Sequence, residues 1–428
     1  MIYSFSVKNF LSIRDMQTVS FATTSDKTDR DLLAVEVKPN VVINKLGIFY
    51  GANAAGKSNM LFAIDTLFDL MTIPMRDKSQ TITAYMPFAL NDGEPTYFGI
   101  IFYKEGIRYD YEVAYCKTHI ISERLDYYPA RGKAMFYTRR FTDADTQPDI
   151  EFGGTLRLFA RSKQAIRENT LNNHTVLSTI AKISLKEDAA DFVKLYSWLS
   201  TRTHKIGGDN QGNSMAREIK SVCDDPAKKQ FYLDMLKKAD FNITDIAVVE
   251  DFKGMSAQLI EQIQSSILPE STKFGMLNDV VFRNHSDEGD FDIKSAMQSD
   301  GTRRFTELLD YLYTMVRANH IYLFDELGNR MHYDLVVYYI LLFLRNSDQS
   351  QLLFSTHSIM LLDEDFIRRD MIYLADKDKS TASSAYTRVS DMGLHKNLSI
   401  FKAYKIGRLG GTPDVGSTYM DIRKSEER

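Results

Sequence analysis

The stretch "LGIFYGANAAGKSN", residues 46–59, constrains this chain more than any other. It fits G-x-x-x-x-G-K-[S/T] through Gly51, Gly56, Lys57 and Ser58, with an apolar strand pattern before it and the helical pattern "NMLFAIDTLFDLM" after it. A strand, a glycine loop and a helix in that order form a cradle whose backbone N–H groups curl around phosphates. Asn53, Ala54, Ala55, Gly56, Lys57, Ser58 and Asn59 are the expected nucleotide-binding set. Lys57 reaches the terminal phosphates and Ser58 offers its hydroxyl to Mg²⁺.

Such a loop needs a carboxylate from a second apolar strand to complete the metal site. "HIYLFDELGNR", residues 320–330, supplies one: Asp325 ends the run Ile321-Tyr322-Leu323-Phe324 and is placed to hold Mg²⁺ through water. Glu326, next to it, can orient and deprotonate an attacking water. The plain alternative for this pair is an acidic cap for the next helix. A third apolar strand, "QLLFSTHS" at 351–358, ends near His357, and the helix pattern "HYDLVVYYILLFLRN" bridges the two. In open parallel sheets ligands sit beyond the carboxyl ends of the strands. Lys57, Glu326 and His357 are therefore expected at one edge as the catalytic set, with His357 facing the γ-phosphate.

Around these motifs the chain changes character twice. Alternating, β-branched segments such as "IYSFSVKNF", "YFGIIFY" and "IRYDYEVAYC" make the first third a β-rich lobe. Helical periodicity follows in "LRLFARSKQAIRENTL", "AADFVKLYSWLS" and "PAKKQFYLDMLKKAD", broken by a polar loop at "THKIGGDNQGNS". From about residue 276 strands and helices alternate, which predicts parallel strands and an α/β fold. The expected division is 1–150, with the P-loop and the β-rich lobe; 151–275, a helical insertion; and 276–428, the remaining part of the nucleotide-binding head.

Composition narrows the class without choosing a function. With 53 basic against 57 acidic residues, nothing global argues for nucleic-acid binding. Two cysteines, Cys116 and Cys223, allow neither a disulfide framework nor a cysteine zinc cluster, and the expected compartment is the cytoplasm. "MIYSFSVKNF" reads as a first strand rather than a signal peptide. The longest apolar run, "LVVYYILLFL", is shorter than the ~20 residues of a membrane-spanning helix, so no membrane partner is expected.

One stretch stays ambiguous on local grounds. In "AMQSDGTRRF", residues 296–305, a small polar cluster precedes two arginines and a long amphipathic pattern. It is either a helix cap or an anion site at a helix N-terminus.

The order of these elements resembles the ABC-type ATPase heads of the SMC, RecF and OLD-like group: P-loop, long insertion, Ser-x-Gly before a helix, Asp-Glu strand, His strand. "FSVKNFLSIRD" looks like that group's opening strand and Asn-Phe-x-Ser turn. "MPFALND", "RLDYYPARGKAMFY", "FDELGNRMH", "RRDMIYLADKD" and "YKIGRLGGTPDVG" look most like the RloA-like, or abortive-infection, ATPases. The resemblance implies an ABC-type P-loop ATPase head with a mixed or parallel sheet core, a β-rich N-terminal lobe and an inserted helical subdomain. It implies ATP and Mg²⁺ as ligands and hydrolysis to ADP and phosphate. It also implies a homodimer or larger homo-oligomer in which Ser299, Gly301 and Thr302 of one head close over ATP held by another. The capping reading is then left to Asp300. The implied role is sensor or regulator of a bacterial antiphage system with a separately encoded effector; a RecF- or SMC-like DNA-maintenance ATPase and a slow nucleotide-gated scaffold are the alternatives.

Three positions depart from the group's pattern: Asp300 stands where a second signature glycine is usual, His332 where an aspartate is common, and no lid glutamine lies in "TAYMPFALND". Weaker signals remain. Asp376 and Asp378 could be a nuclease metal pair, though a turn accounts for them more simply. Arg157, Arg161, Lys163 and Arg167 recur at helical spacing in a segment, 151–240, with 15 basic against 11 acidic residues; they mark a nucleic-acid or partner surface, or a solvated helix face. Arg408, in "YKIGRLGGTPDVG", could serve a partner or the nucleotide, or simply lie in a closing loop. Trp198 is expected in the core.

Overall fold

The computed structural model describes residues 1–412 apart from 131, 144–146, 186–188, 207–214, 253 and 396, and describes only the backbone of 202–206 and 271. The P-loop strand, Leu46–Tyr50, lies inside a six-stranded sheet in the order Thr203–Ile206, Ile321–Phe324, Gln351–Ser355, Leu46–Tyr50, Ile372–Lys377, Ser384–Arg388. All neighbours are parallel except the last pair. Continuous apolar runs suit this place, because a parallel strand covered on both faces has no wet side. Leu46–Tyr50, Ile321–Phe324 and Gln351–Ser355 are buried along their whole length.

Alternate residues of these strands enter different cores, as the two-residue period of a strand requires. Phe49, Ile321, Leu323, Leu353 and Tyr373 point to the side that holds the P-loop helix, Lys57–Thr72, and the N-terminal lobe. Ile48, Tyr50, Tyr322, Phe324, Leu352 and Phe354 point to the other, against helices Asp300–Arg317 and Tyr333–Asn346. The N-terminal lobe is a second sheet of seven antiparallel strands, in which the first strand, Ile2–Lys8, pairs with Gln17–Ser20 and Thr96–Lys104. Trp198, half-buried, stacks on the buried Phe102 of an interior strand of this lobe, with ring centroids 5.2 Å apart.

The two sheets are tied by a buried amide. Gln351 accepts from the Ile2 N–H at 2.7 Å and donates to the carbonyls of Ile2 and Asn44 at 2.9 and 3.2 Å. A buried amide left without partners would cost roughly 1–3 kcal/mol. Gln351 therefore fixes how the first strand meets the nucleotide sheet.

The stretch 151–275, expected as a helical insertion, also carries two whole strands among the described residues, besides the end of Asp149–Phe152. Thr203–Ile206 forms the edge of the nucleotide sheet, and Ile243–Glu250 begins a three-stranded sheet with Asn278–Ser286 and Gly289–Lys294. "THKI" was expected within a loop; only the later part of that loop, 207–214, lies outside the described residues. The helical periodicity on both sides hides a run of four residues, which gains its hydrogen bonds from Ile321–Phe324 and not from its own neighbours.

Helices Met215–Cys223 and Pro226–Lys238 join the insertion to the long helix Asp300–Arg317. Lys228 bridges to Asp310 at 2.5 Å, and Tyr232 donates to the same carboxylate at 3.4 Å. Glu218 lies nearby, its carboxyl pushed up to about 7 by burial and then by Asp310 and Glu307. A carboxyl raised in the fold costs stability only where it must ionise: the penalty is absent below the ordinary glutamate value of 4.5 and complete above about 7. Glu218→Gln is therefore expected to raise the melting temperature at about pH 8 and not at about pH 4.5. Equal shifts at both values would show a packing effect instead.

Candidate active site

The P-loop turns from Tyr50 into the helix at Lys57, with Gly56 at φ 102°. A Cβ at Gly56 would run into the hydroxyls of Ser384 and Ser12, so the left-handed turn and the close approach both call for glycine. Those neighbours brace the loop from behind. Ser384 Oγ donates to the Ala55 carbonyl at 2.7 Å and Tyr386 Oη to the Gly56 carbonyl at 2.6 Å. Because a trans peptide points its N–H opposite its C=O, the N–H groups of Gly56 and Lys57 face the other way. Asn53 and Ala54 are exposed on the loop, Ala54 in the left-handed region at φ 63°, and Asn59 donates to Ser12 Oγ at 2.6 Å.

Lys57 Nζ donates to the carbonyls of Gly51 and Ala52 at 3.0 and 3.1 Å. Burial lowers its pKa, while Glu326 and Asp325 pull it back up. Ser58 is exposed, and its hydroxyl donates to Asp325 Oδ1 at 2.8 Å. A serine and an aspartate oxygen this close are the oxygen donor chemistry of a hard cation, so these residues fit Mg²⁺.

Asp325 and Glu326 follow directly on Ile321–Phe324. Glu326 adopts φ 55°, unusual for a side-chain-bearing residue. Its N–H is held by Ser355 Oγ at 2.8 Å, and the same hydroxyl donates to Asp325 Oδ1 at 2.6 Å. His357 Nε2 lies 3.5 Å from Glu326 Oε1, both half-exposed on a cleft also lined by Gly328, Asn329, Thr356 and Ser358. Ser58, Asp325, Glu326 and His357 are thus brought to one edge, with Lys57 beside them.

Ser299, Gly301 and Thr302 stand apart from this cluster: no described hydrogen bond or ion pair joins them to the P-loop. Ser299, rather than Asp300, caps the helix, accepting from the Thr302 N–H at 3.1 Å. Asp300 is the first helical residue and pairs with Arg303, which takes up its charge. Ser299 is exposed, while Thr302 is buried with its hydroxyl 2.7 Å from Ser299 Oγ. A Cβ on Gly301 would lie 3.2 Å from the Arg330 carbonyl, so this turn rests on the loop that follows Glu326. His332 caps the next helix, accepting from Asp334 N–H at 3.3 Å.

The family described as "AAA domain, putative AbiEii toxin, Type IV TA system" matches residues 48–363, more than half of the chain and from the P-loop strand to beyond His357. The chain belongs to this family. No curated protein matches it. Among solved structures, this AbiEii-type AAA chain is similar to an SMC head domain from Thermotoga maritima, with 13% identity, 91% of this chain and 98% of that chain covered, and a TM-score of 0.40. It is also similar to an SmcHead bound to the C-winged helix domain of ScpA, at 16% identity, 94% and 99% coverage and a TM-score of 0.38. An Smc head with an extended coiled coil bound to the C-terminal domain of ScpA, derived from Pyrococcus furiosus, gives 12%, 95%, 98% and 0.36.

Several groups at the site of this AbiEii-type AAA chain carry no sequence signal of their own. Ser12, Ser384 and Tyr386 sit in ordinary strand and turn contexts and meet the P-loop only in the fold. The one available hint is the Asn-Phe-x-Ser turn: buried Asn9 accepts from Phe88 N–H at 3.0 Å and donates to the Glu94 carbonyl at 2.9 Å, fixing the turn that delivers Ser12. The Gly407–Gly411 loop, part of the motif around Arg408, also reaches the site. A Cβ at Gly411 would be 3.5 Å from Gly51 Cα, and Tyr404 donates to the Gly411 carbonyl at 2.8 Å, so the loop flanks the P-loop with Arg408 exposed on it. Residues 413–416 of that motif lie outside the described residues.

Asp378 accepts four hydrogen bonds from Ser380 and Thr381, which hold its carboxyl down to about 2 and account for it as a turn residue. Arg167 donates to the Ile150 carbonyl and lies over Phe152, while Arg157 and Arg161 are exposed. Among the described residues no helix is long and apolar enough to cross a membrane.

Proposed function

We propose that this AbiEii-type AAA protein hydrolyses ATP to ADP and phosphate with Mg²⁺, the nucleotide being shared between two copies. We further propose that it is the sensor or regulator of a bacterial antiphage or abortive-infection system acting on a separately encoded effector. The observation that carries the catalytic reading is the meeting of Ser58 with Asp325 at 2.8 Å and of Glu326 with His357 at 3.5 Å, beside Lys57. The role in defence is supported by the family's description and by the sequence resemblance.

In this reading the Lys57 ammonium exchanges the carbonyls of Gly51 and Ala52 for phosphate oxygens, and the loop N–H groups bind the rest. Ser58 and Asp325 hold the cation, which neutralises charge on the phosphates when bound. Glu326 accepts the proton of the attacking water, and His357 holds its position over the terminal phosphate. Ser299 and Gly301 of a second copy close the site. Their helix N-terminus faces the phosphates, which favours an anion there.

Phosphate release by the purified chain with ATP and Mg²⁺, abolished by chelation and restored by added Mg²⁺, is the expected result. ATP left intact under all three conditions contradicts the catalytic reading. Co-purification with the product of the adjacent gene, in the presence and absence of ATP, tests the regulatory role.

A further inference from the structure

We infer that Ser355 is a positioning residue whose single hydroxyl sets both carboxylates of the site. This rests on the hydrolytic reading above and adds to it a residue buried behind the two carboxylates. Ser355 is fully buried at the end of Gln351–Ser355, two residues before His357. A serine hydroxyl has one proton and two lone pairs. Here the proton goes to Asp325 Oδ1, 2.6 Å away, and a lone pair receives the Glu326 N–H at 2.8 Å. The backbone of Ser355 adds a third tie, its carbonyl accepting from the Leu327 N–H at 3.0 Å.

These bonds act on different things. The one to Asp325 is charge-assisted and stops the carboxylate from rotating. The one to the Glu326 N–H secures the left-handed backbone at φ 55° that aims the Glu326 side chain toward His357. Ser58 donates to the same Oδ1. A hydroxyl that binds a cation through a lone pair keeps its proton, so Ser58 would hold the cation without giving up this bond, and Asp325 Oδ1 would keep both hydroxyl donors. Ser355 differs from Ser58 in also tying the Glu326 backbone, so its influence reaches both carboxylates.

The test compares Ser355→Ala with Ser355→Thr, which keeps the hydroxyl. Mn²⁺ binding is followed by EPR with a non-hydrolysable ATP analogue, alongside steady-state kinetics and metal-free nucleotide binding. Ser355→Ala is expected to weaken Mn²⁺ binding about tenfold, the lower end of the range for losing an outer-shell partner. It should lower kcat about 10–100-fold, as small misplacements do, with metal-free ATP affinity unchanged. Ser355→Thr should recover most of both. If the alanine variant folds poorly, Ser355→Cys, similar in size but a weak hydrogen-bonding group, is expected to show the same loss. A lowered melting temperature with kcat and Mn²⁺ affinity intact overturns the inference and leaves Ser355 a structural residue. Normal turnover in Glu326→Gln overturns the hydrolytic reading itself, so the two failures are distinguishable.

Discussion

Glu326→Gln is expected to lower ATP turnover by about 10²–10⁴-fold, the usual contribution of a positioned general base, while ATP binding is retained. Glutamine has the size of glutamate and keeps an oxygen near His357, so the cleft holds its shape. It cannot take the water's proton. Asp325 is untouched and Ser58 still lies 2.8 Å from it, so the cation and the phosphates keep their partners. ATP should therefore accumulate in the bound state, and the assembly that ATP bridges should persist. Rapid-quench measurement of bound nucleotide, with size-exclusion chromatography and light scattering, checks both consequences. Wild-type turnover in this variant would place the base elsewhere.

Ser299→Arg is expected to abolish ATP-dependent dimerisation and to reduce turnover to that of an isolated chain. Two effects of this substitution need separating. Ser299 caps Asp300–Arg317 through the Thr302 N–H, and losing a cap costs about 1 kcal/mol. Ser299→Ala measures this part alone. Arginine adds a long cation to an exposed turn that already carries the positive end of an 18-residue helix. A chain's own P-loop makes no described contact with this turn, so binding of ATP by the monomer should be unchanged. Only the closing of a second head over that ATP is blocked.

The three motifs of the catalytic edge are legible in the sequence because each is local: an apolar strand followed at once by a short polar end. Gly51 to Ser58, Asp325-Glu326 and His357 need no distant partner to be recognised, and parallel pairing then brings their ends together. The hydroxyls that brace them are not legible. Ser355, Ser384 and Tyr386 are ordinary strand residues until the fold sets them against Asp325, Ala55 and Gly56. The cap of Asp300–Arg317 was ambiguous for a different reason. Serine and aspartate are equally good caps, and the choice of Ser299 goes with the pairing of Asp300 to Arg303, one turn on. The edge strand Thr203–Ile206 escaped because four residues between helical patterns carry too short a period to register.

The central claim is that one chain's P-loop and catalytic carboxylate work with another chain's Ser299 turn. Mixing Ser299→Arg with Glu326→Gln measures this most directly. Each variant alone should be nearly inactive, but a mixed pair contains one site with an intact P-loop, Glu326 and Ser299. Phosphate release should therefore reappear on mixing and rise with the fraction of mixed pairs. If Ser299→Arg alone hydrolyses ATP as fast as the unaltered protein, or if mixing restores nothing, the shared site is contradicted.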